Sequence, residues 1–82
     1  MTNKTLAPLS PEAQTITIGA LYQHYKGNHY KILAIARHSE TLEELVVYQA
    51  LYEDHGIWVR PIQMFCESVV FEKKEQKRFQ KI

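Results

Sequence analysis

A single cysteine, Cys66, leaves the chain without a partner for an internal disulfide, and a small secreted domain ordinarily carries several. The expected compartment is therefore the cytosol, with Cys66 serving as a small apolar packing residue rather than a reactive thiol. Glycine and proline are scarce, three of each in 82 residues, which excludes a low-complexity or collagen-like chain. The glycines, Gly19, Gly27 and Gly56, stand alone, so no glycine-rich phosphate loop is present. No apolar run approaches the roughly 18 residues that a membrane helix requires. The opening MTNKTLAPLSPEAQT lacks the apolar stretch of a secretory signal. His-x₃-His, Cys-x₂-Cys and His-Glu-x-x-His spacings are also missing. Neither a metal nor a cofactor is expected.

What remains is a chain with 45% hydrophobic and 23% charged residues, a balance that fits one ordinary globular domain. At this length about 60 to 65% of the unfolded surface is buried, so the core is modest. The charges are unevenly spread. Residues 18–71 carry four basic against six acidic side chains, and residues 72–82 carry five basic against two acidic. A body that grips a phosphate backbone should show the opposite distribution.

Residues 1–17 hold two of the three prolines and many Thr, Ser, Asn and Gln, and read as a flexible arm. From Ile18 strand signals are dense. Gly27-Asn28 between two β-prone segments reads as a two-residue hairpin turn. That register sets Tyr25 opposite Tyr30 and Gln23 opposite Ile32, with Ala34 and Ala36 continuing an inner face. It leaves Tyr22, His24, Lys26, His29, Lys31 and Leu33 on a half-wet face, where His24 and His29 are diagonal neighbours.

A turn is expected near Ser39 to Glu43, although Thr41-Leu42-Glu43-Glu44 also reads as a helical capping box. Strands follow at residues 45–52 and 57–60, joined by Glu53-Asp54-His55-Gly56. Pro61 ends that hairpin, Ile62 to Phe65 fit one 3₁₀ turn, and Glu67 to Phe71 form the last strand. The expected fold is mainly β: a small, five-stranded, partly open SH3-like barrel over residues 18–72. A charged tail, residues 73–82, follows it.

Four segments stand in order: YQHYKG at Tyr22 to Gly27, ARHSET at Ala36 to Thr41, VVY at Val46 to Tyr48, and WVRP at Trp58 to Pro61. Together they make the chain resemble the bacterial family called domain of unknown function 1653, over about residues 19 to 72. The resemblance implies a small SH3-like β-barrel and implies no activity. Ala20-Leu21-Tyr22 is also similar to the opening of true SH3 domains, which bind proline-rich segments. Here, however, Trp58 stands only three residues before Pro61, where a true SH3 domain separates the two by a hairpin, so that groove is not carried over.

An aliphatic run, Ile32 to Ala36, ends in Arg37-His38-Ser39-Glu40-Thr41. Arg37, His38, Glu40, Tyr48, Trp58 and Arg60 are the candidate site. They are read as a polar patch at one barrel end, taking an anionic group or a short peptide or nucleotide segment. The competing structural reading pairs Arg37 and Arg60 with Glu40, Glu43 or Glu44, and uses His38 and Ser39 to satisfy turn backbone.

A non-catalytic binding module with a protein or peptide partner is the first expectation, with self-association through a sheet edge or the arm alongside it. Nucleic-acid binding comes second. Tyr22, Tyr25, Tyr30, Tyr48, Tyr52 and Trp58 supply aromatic platforms for it, and the acidic body weighs against it. Catalysis comes third. Ser39 follows His38 directly, and neighbours on an extended chain point to opposite sides.

Overall fold

The computed structural model describes residues 8–82. The chain is mainly β. Seven strands are found: β1 Leu21–His24, β2 His29–Arg37, β3 Glu44–Ala50, β4 Ile57–Pro61, β5 Ser68–Phe71, β6 Lys74–Lys77 and β7 Phe79–Lys81. Two short helices accompany them, α1 Pro11–Gln14 and α2 Ile62–Cys66. One antiparallel sheet has the order β4-β3-β2-β1-β7, and β5-β6 form a separate two-stranded ribbon. The principal sheet is five-stranded as expected, but its fifth member is β7 rather than residues 67–71, and the two sheets do not close into a barrel. Among the described residues no helix is long and apolar enough to cross a membrane.

The first hairpin corrects the expected register. His24 donates its N–H to Asn28 O at 2.8 Å, so the loop is the three residues Tyr25 to Gly27. Gly27 takes φ +109, a conformation that favours glycine. Tyr22 therefore pairs with Tyr30, and Gln23 with His29. One residue more in the loop reverses the faces of β1: Tyr22 turns inward, 6% exposed, and Gln23 turns outward. His24 and His29 fall on opposite faces.

A second departure lies in β2. Ile32 pairs with Tyr48 but Ala34 pairs with Val47, so Leu33 is the extra residue of a bulge. Beyond it the inner face passes to Ile35, which packs on the core in place of Ala34 and Ala36. The turn between β2 and β3 is a turn and not a helix, closed by His38 N–H on Glu43 O at 2.8 Å.

The inner face is covered by the two helices. Ile62 to Cys66 form one α-helical turn where a 3₁₀ turn was expected, and it buries Ile62 and Phe65. In α1 Ser10 is the N-cap, its Oγ accepting from Ala13 N at 3.1 Å, and Pro11 occupies the first turn. Ser10 also donates through N to Glu44 Oε2 at 2.7 Å and through Oγ to Glu44 Oε1 at 2.5 Å. This ties the helix to the start of β3 and seats Ala13 in the core, 2% exposed. Residues 8–17 are thus built into the domain; the remainder of the expected arm, residues 1–7, lies outside the described residues.

The tail is structured as well. Glu72 and Lys73, both at positive φ (53 and 64), turn β5 into β6. β7 then pairs antiparallel with β1 and delivers Phe79 to the core, 4% exposed. The buried cluster is Ala13, Tyr22, Ile32, Val46, Tyr48, Ile62, Phe65 and Phe79.

Candidate functional site

The inner face has two ends. At one end β2 meets β3 with Arg37 opposite Glu44. Ser10 donates to both oxygens of the Glu44 carboxyl, and these hydrogen bonds, with the nearby charge of Arg37, hold it below the usual carboxylate range. In the adjoining turn His38 Nδ1 accepts from Glu40 N at 3.1 Å and from Thr41 N at 3.3 Å. The imidazole is thus used by its own turn, as the competing structural reading required. Glu40 itself is exposed.

At the other end, beyond Phe65, aromatic rings gather around Phe79. Tyr48 and Tyr30 each meet the Phe79 ring edge-on with centroids 5.5 Å away, and His24 meets it at 5.0 Å. Such edge-to-face packing adds to the burial of each ring. Tyr30 and Tyr52 share a hydrogen bond between hydroxyls at 2.7 Å. Burial and that bond push the Tyr30 phenol up to about 12.

Arg60 reaches into this cluster. Its Nε donates to Tyr48 Oη at 3.3 Å, and its guanidinium lies 5.5 Å from the centroid of Phe79. Among the described residues no carboxylate lies within ion-pair distance of Arg60, whereas Arg78 pairs with Glu67. Trp58 is the cross-strand partner of Tyr48, on the same face, and is 59% exposed. Its exposure follows from topology: β4 is the edge of the sheet, and no strand of the described residues lies beyond it.

The six candidates therefore fall into two groups. Tyr48, Trp58 and Arg60 come together. Arg37, His38 and Glu40 lie toward the opposite end, since Glu44 and Tyr48 are four positions apart on β3, about 13 Å at the usual rise. His24, Tyr30, Tyr52 and Phe79 complete the aromatic end; Tyr30 and Tyr52 were read only as aromatic platforms for a nucleic acid, and His24 and Phe79 were not counted with the site. The three-residue loop hid the inward turn of His24; the signal against a two-residue loop was Gln23, which that register forces inward.

His24 is the electrostatic reporter of this end. Burial lowers its basicity first, and the positive charges of Arg60, Arg78 and Lys26 lower it further. Its Nδ1 accepts from Lys26 N at 3.2 Å, which leaves the proton of the neutral ring on Nε2. Three cations thus act on this end although residues 18–71 as a whole carry an acidic excess.

Cys66 lines an open cavity of about 350 Å³ with Tyr22, Phe65, Lys77, Phe79 and Lys81. Burial pushes its thiol up and Glu12 adds to the effect, which is the reverse of an activated nucleophile. Among the described residues no three His, Cys, Asp or Glu side chains come together to hold a metal ion.

The comparisons agree with one another. No curated protein matches the chain. A crystal structure of a DUF1653 protein from Bordetella bronchiseptica is 38% identical, with a TM-score of 0.77 over 85% of this chain and 91% of that one. The family model described as "Protein of unknown function (DUF1653)" matches residues 20–81, so it runs through β6 and β7 and past the segment whose motifs suggested it. The chain belongs to the DUF1653 family.

Proposed function

We propose that this chain is a non-catalytic binding module, located in the cytosol, whose partner is a protein or peptide segment. That segment brings a carboxylate to Arg60 and an apolar side chain to Trp58. One observation carries the reading: an arginine without a carboxylate partner among the described residues stands two positions from a tryptophan that is 59% exposed, on one face of an edge strand. Arg and Trp are the residue types most enriched where binding energy concentrates. With Nε engaged by Tyr48 Oη, the guanidinium is oriented and its terminal nitrogens present a fork suited to a carboxylate.

A nucleic acid is the weaker partner on two grounds. The rings that a base would stack on at this end, Tyr30, Tyr48 and Phe79, are packed edge-on against one another, which leaves Trp58 as the exposed ring beside Arg60. The cations whose charge reaches His24 are Arg60, Arg78 and Lys26, and Arg78 is already paired with Glu67.

Amide shift mapping of labelled protein tests this, using separate pools of acidic peptides, neutral peptides, nucleotides and short single-stranded oligonucleotides. Shifts at Trp58, Arg60 and Tyr48 with the acidic peptides alone are expected, and R60Q should abolish them while leaving the remaining spectrum in place. Shifts with the oligonucleotides instead, or silence at these residues with every pool, would sink the reading.

A further inference from the structure

The edge strand β4 carries a second message, in its backbone. Ala50 donates its N–H to Gly56 O at 2.9 Å, which makes residues 50 and 56 a hydrogen-bonded pair of the β3–β4 hairpin. In an antiparallel ladder such pairs alternate with non-bonded ones. The register, Gln49 opposite Ile57 and Tyr48 opposite Trp58, then directs the amides of Trp58 and Arg60 to β3. The N–H and C=O groups of Ile57 and Val59 point away from the sheet, where no strand of the described residues lies. Their side chains are 61% and 58% exposed.

Natural edge strands are protected by an inward charge, a bulge, shortness or cover. β4 is short, and Arg60 and Pro61 guard one end of it, but it exposes Ile57, Trp58 and Val59 in succession. Pro61 has no N–H to offer.

We infer that β4 is the self-association surface of this protein, pairing antiparallel with β4 of a second copy about a two-fold axis through Val59. Of the two-fold registers, this one pairs Ile57–Pro61 over its whole length; one centred on Ile57 runs into the turn, where His55 has φ 56 and is not extended, and one centred on Pro61 runs into α2. Val59 of each copy exchanges N–H and C=O with Val59 of the other. Each Ile57 N–H meets the Pro61 carbonyl of the second copy, so every outward donor of β4 is used and the proline sits where its missing N–H costs least.

The side chains also match. Val59 meets Val59 and Ile57 meets Pro61 on the outer face, β-branched and apolar pairs of the favourable kind. On the inner face Trp58 meets the second copy's Arg60, twice by symmetry, in the close non-hydrogen-bonded position. The charge of β4 therefore faces an aromatic ring and never its own like. A second copy supplies all of this complementarity from the same strand. The pairing stands on the backbone of β4 and does not rest on the ligand reading above.

One five-residue edge falls below the size of a standard stable interface, so the association is weak and concentration-dependent. The test is sedimentation equilibrium of the full chain, without ligand, from about 10 μM to about 1 mM. Amide exchange is followed by NMR at both extremes. A monomer–dimer equilibrium is expected, with the Ile57 and Val59 amides protected only at high concentration and those of Trp58 and Arg60 protected throughout.

V59K and V59P should each weaken the dimer by about tenfold or more. Neither removes a bond to β3, because the Val59 N–H points outward, and an unchanged spectrum elsewhere confirms folding. A monomer at every concentration overturns the inference. So does a dimer in which Ile57 and Val59 stay unprotected, or one that V59K and V59P leave intact.

Discussion

Phe65 and Phe79 stack with ring centroids 4.2 Å apart and planes 7° from parallel. One ring comes from the single turn of α2 and the other from β7, three residues from the end of the chain. Phe65 also meets Tyr22 at 5.6 Å and Tyr48 at 5.8 Å, so this stack joins β1, β3, α2 and β7. The segment with the most charge in the sequence thus holds one of the core's central rings.

F79A should destabilise the domain by about 3 to 5 kcal/mol, the usual loss for a buried phenylalanine. In a domain this small that is most of the folding free energy. Deleting residues 79–82 should do the same and also strip β1 of a neighbour. Urea unfolding followed by tryptophan fluorescence measures both. A truncated chain that still unfolds cooperatively near the parental midpoint would show that β7 is an ornament.

Ser10 caps α1 and holds Glu44. S10A should cost about 1 kcal/mol for the lost cap alone and should speed amide exchange at Ala13 and Gln14 without disturbing β4. The carboxyl of Glu44 lies below its ordinary 4.5 in the folded chain, so the stability it adds is present above that value and disappears as pH falls through its folded value. S10A should therefore also blunt the acid dependence below about pH 4.5, as read from thermal midpoints between pH 3 and 7. An acid limb identical in S10A and the parent would refute this coupling.

His24 acts in a different window. Its folded value lies below 6.5, so the unfolded chain takes up the proton first as pH falls. Its contribution is level above 6.5, and stability declines below 6.5 until the folded value is passed. H24N keeps an acceptor for Lys26 N and removes the titration. It should flatten the stability profile just below pH 6.5, and R60Q should move the His24 titration upward toward its ordinary value, as followed by imidazole NMR shifts. A His24 that titrates at or above 6.5 in the parent would show that burial and the three cations do not dominate it.

Strand character was legible wherever side chains alternate or β-branch. Ile32, Val46 to Tyr48 and Ile57 to Val59 sit in strands as read, and the ends of the 45–52 and 57–60 hairpin moved by one or two residues, with β4 running on through Pro61. Family motifs were legible because they are local. Tyr48, Trp58 and Arg60 fall together because two of them share strand parity and the third is their cross-strand neighbour, which a sequence can reveal once the hairpin is placed.

Arg37, His38 and Glu40 were joined to them through polarity alone. That property marks where a strand surfaces but not which other strand end it meets. The first hairpin failed on a single residue of loop length, since period-2 side chains turn a small error in the loop into a complete exchange of faces. The α-helical turn at residues 62–66 and the bulge at Leu33 are too short for any periodicity to betray them.

By itself the sequence determined a mainly β domain, four strands in their succession along the chain, its family, and an aromatic residue and a cation two positions apart on one strand. Tertiary structure decided the rest. Phe79 alone, among charged neighbours, has no local pattern to follow; it is held because β1 has an open edge and Phe65 an open face. Ser10 and Ala13 are held because Glu44 and the inner face of the sheet lie within reach only after β2 and β3 have paired. Long-range contacts of this kind cost little extra chain entropy once the central strands are formed, and nothing in the local spacing records them.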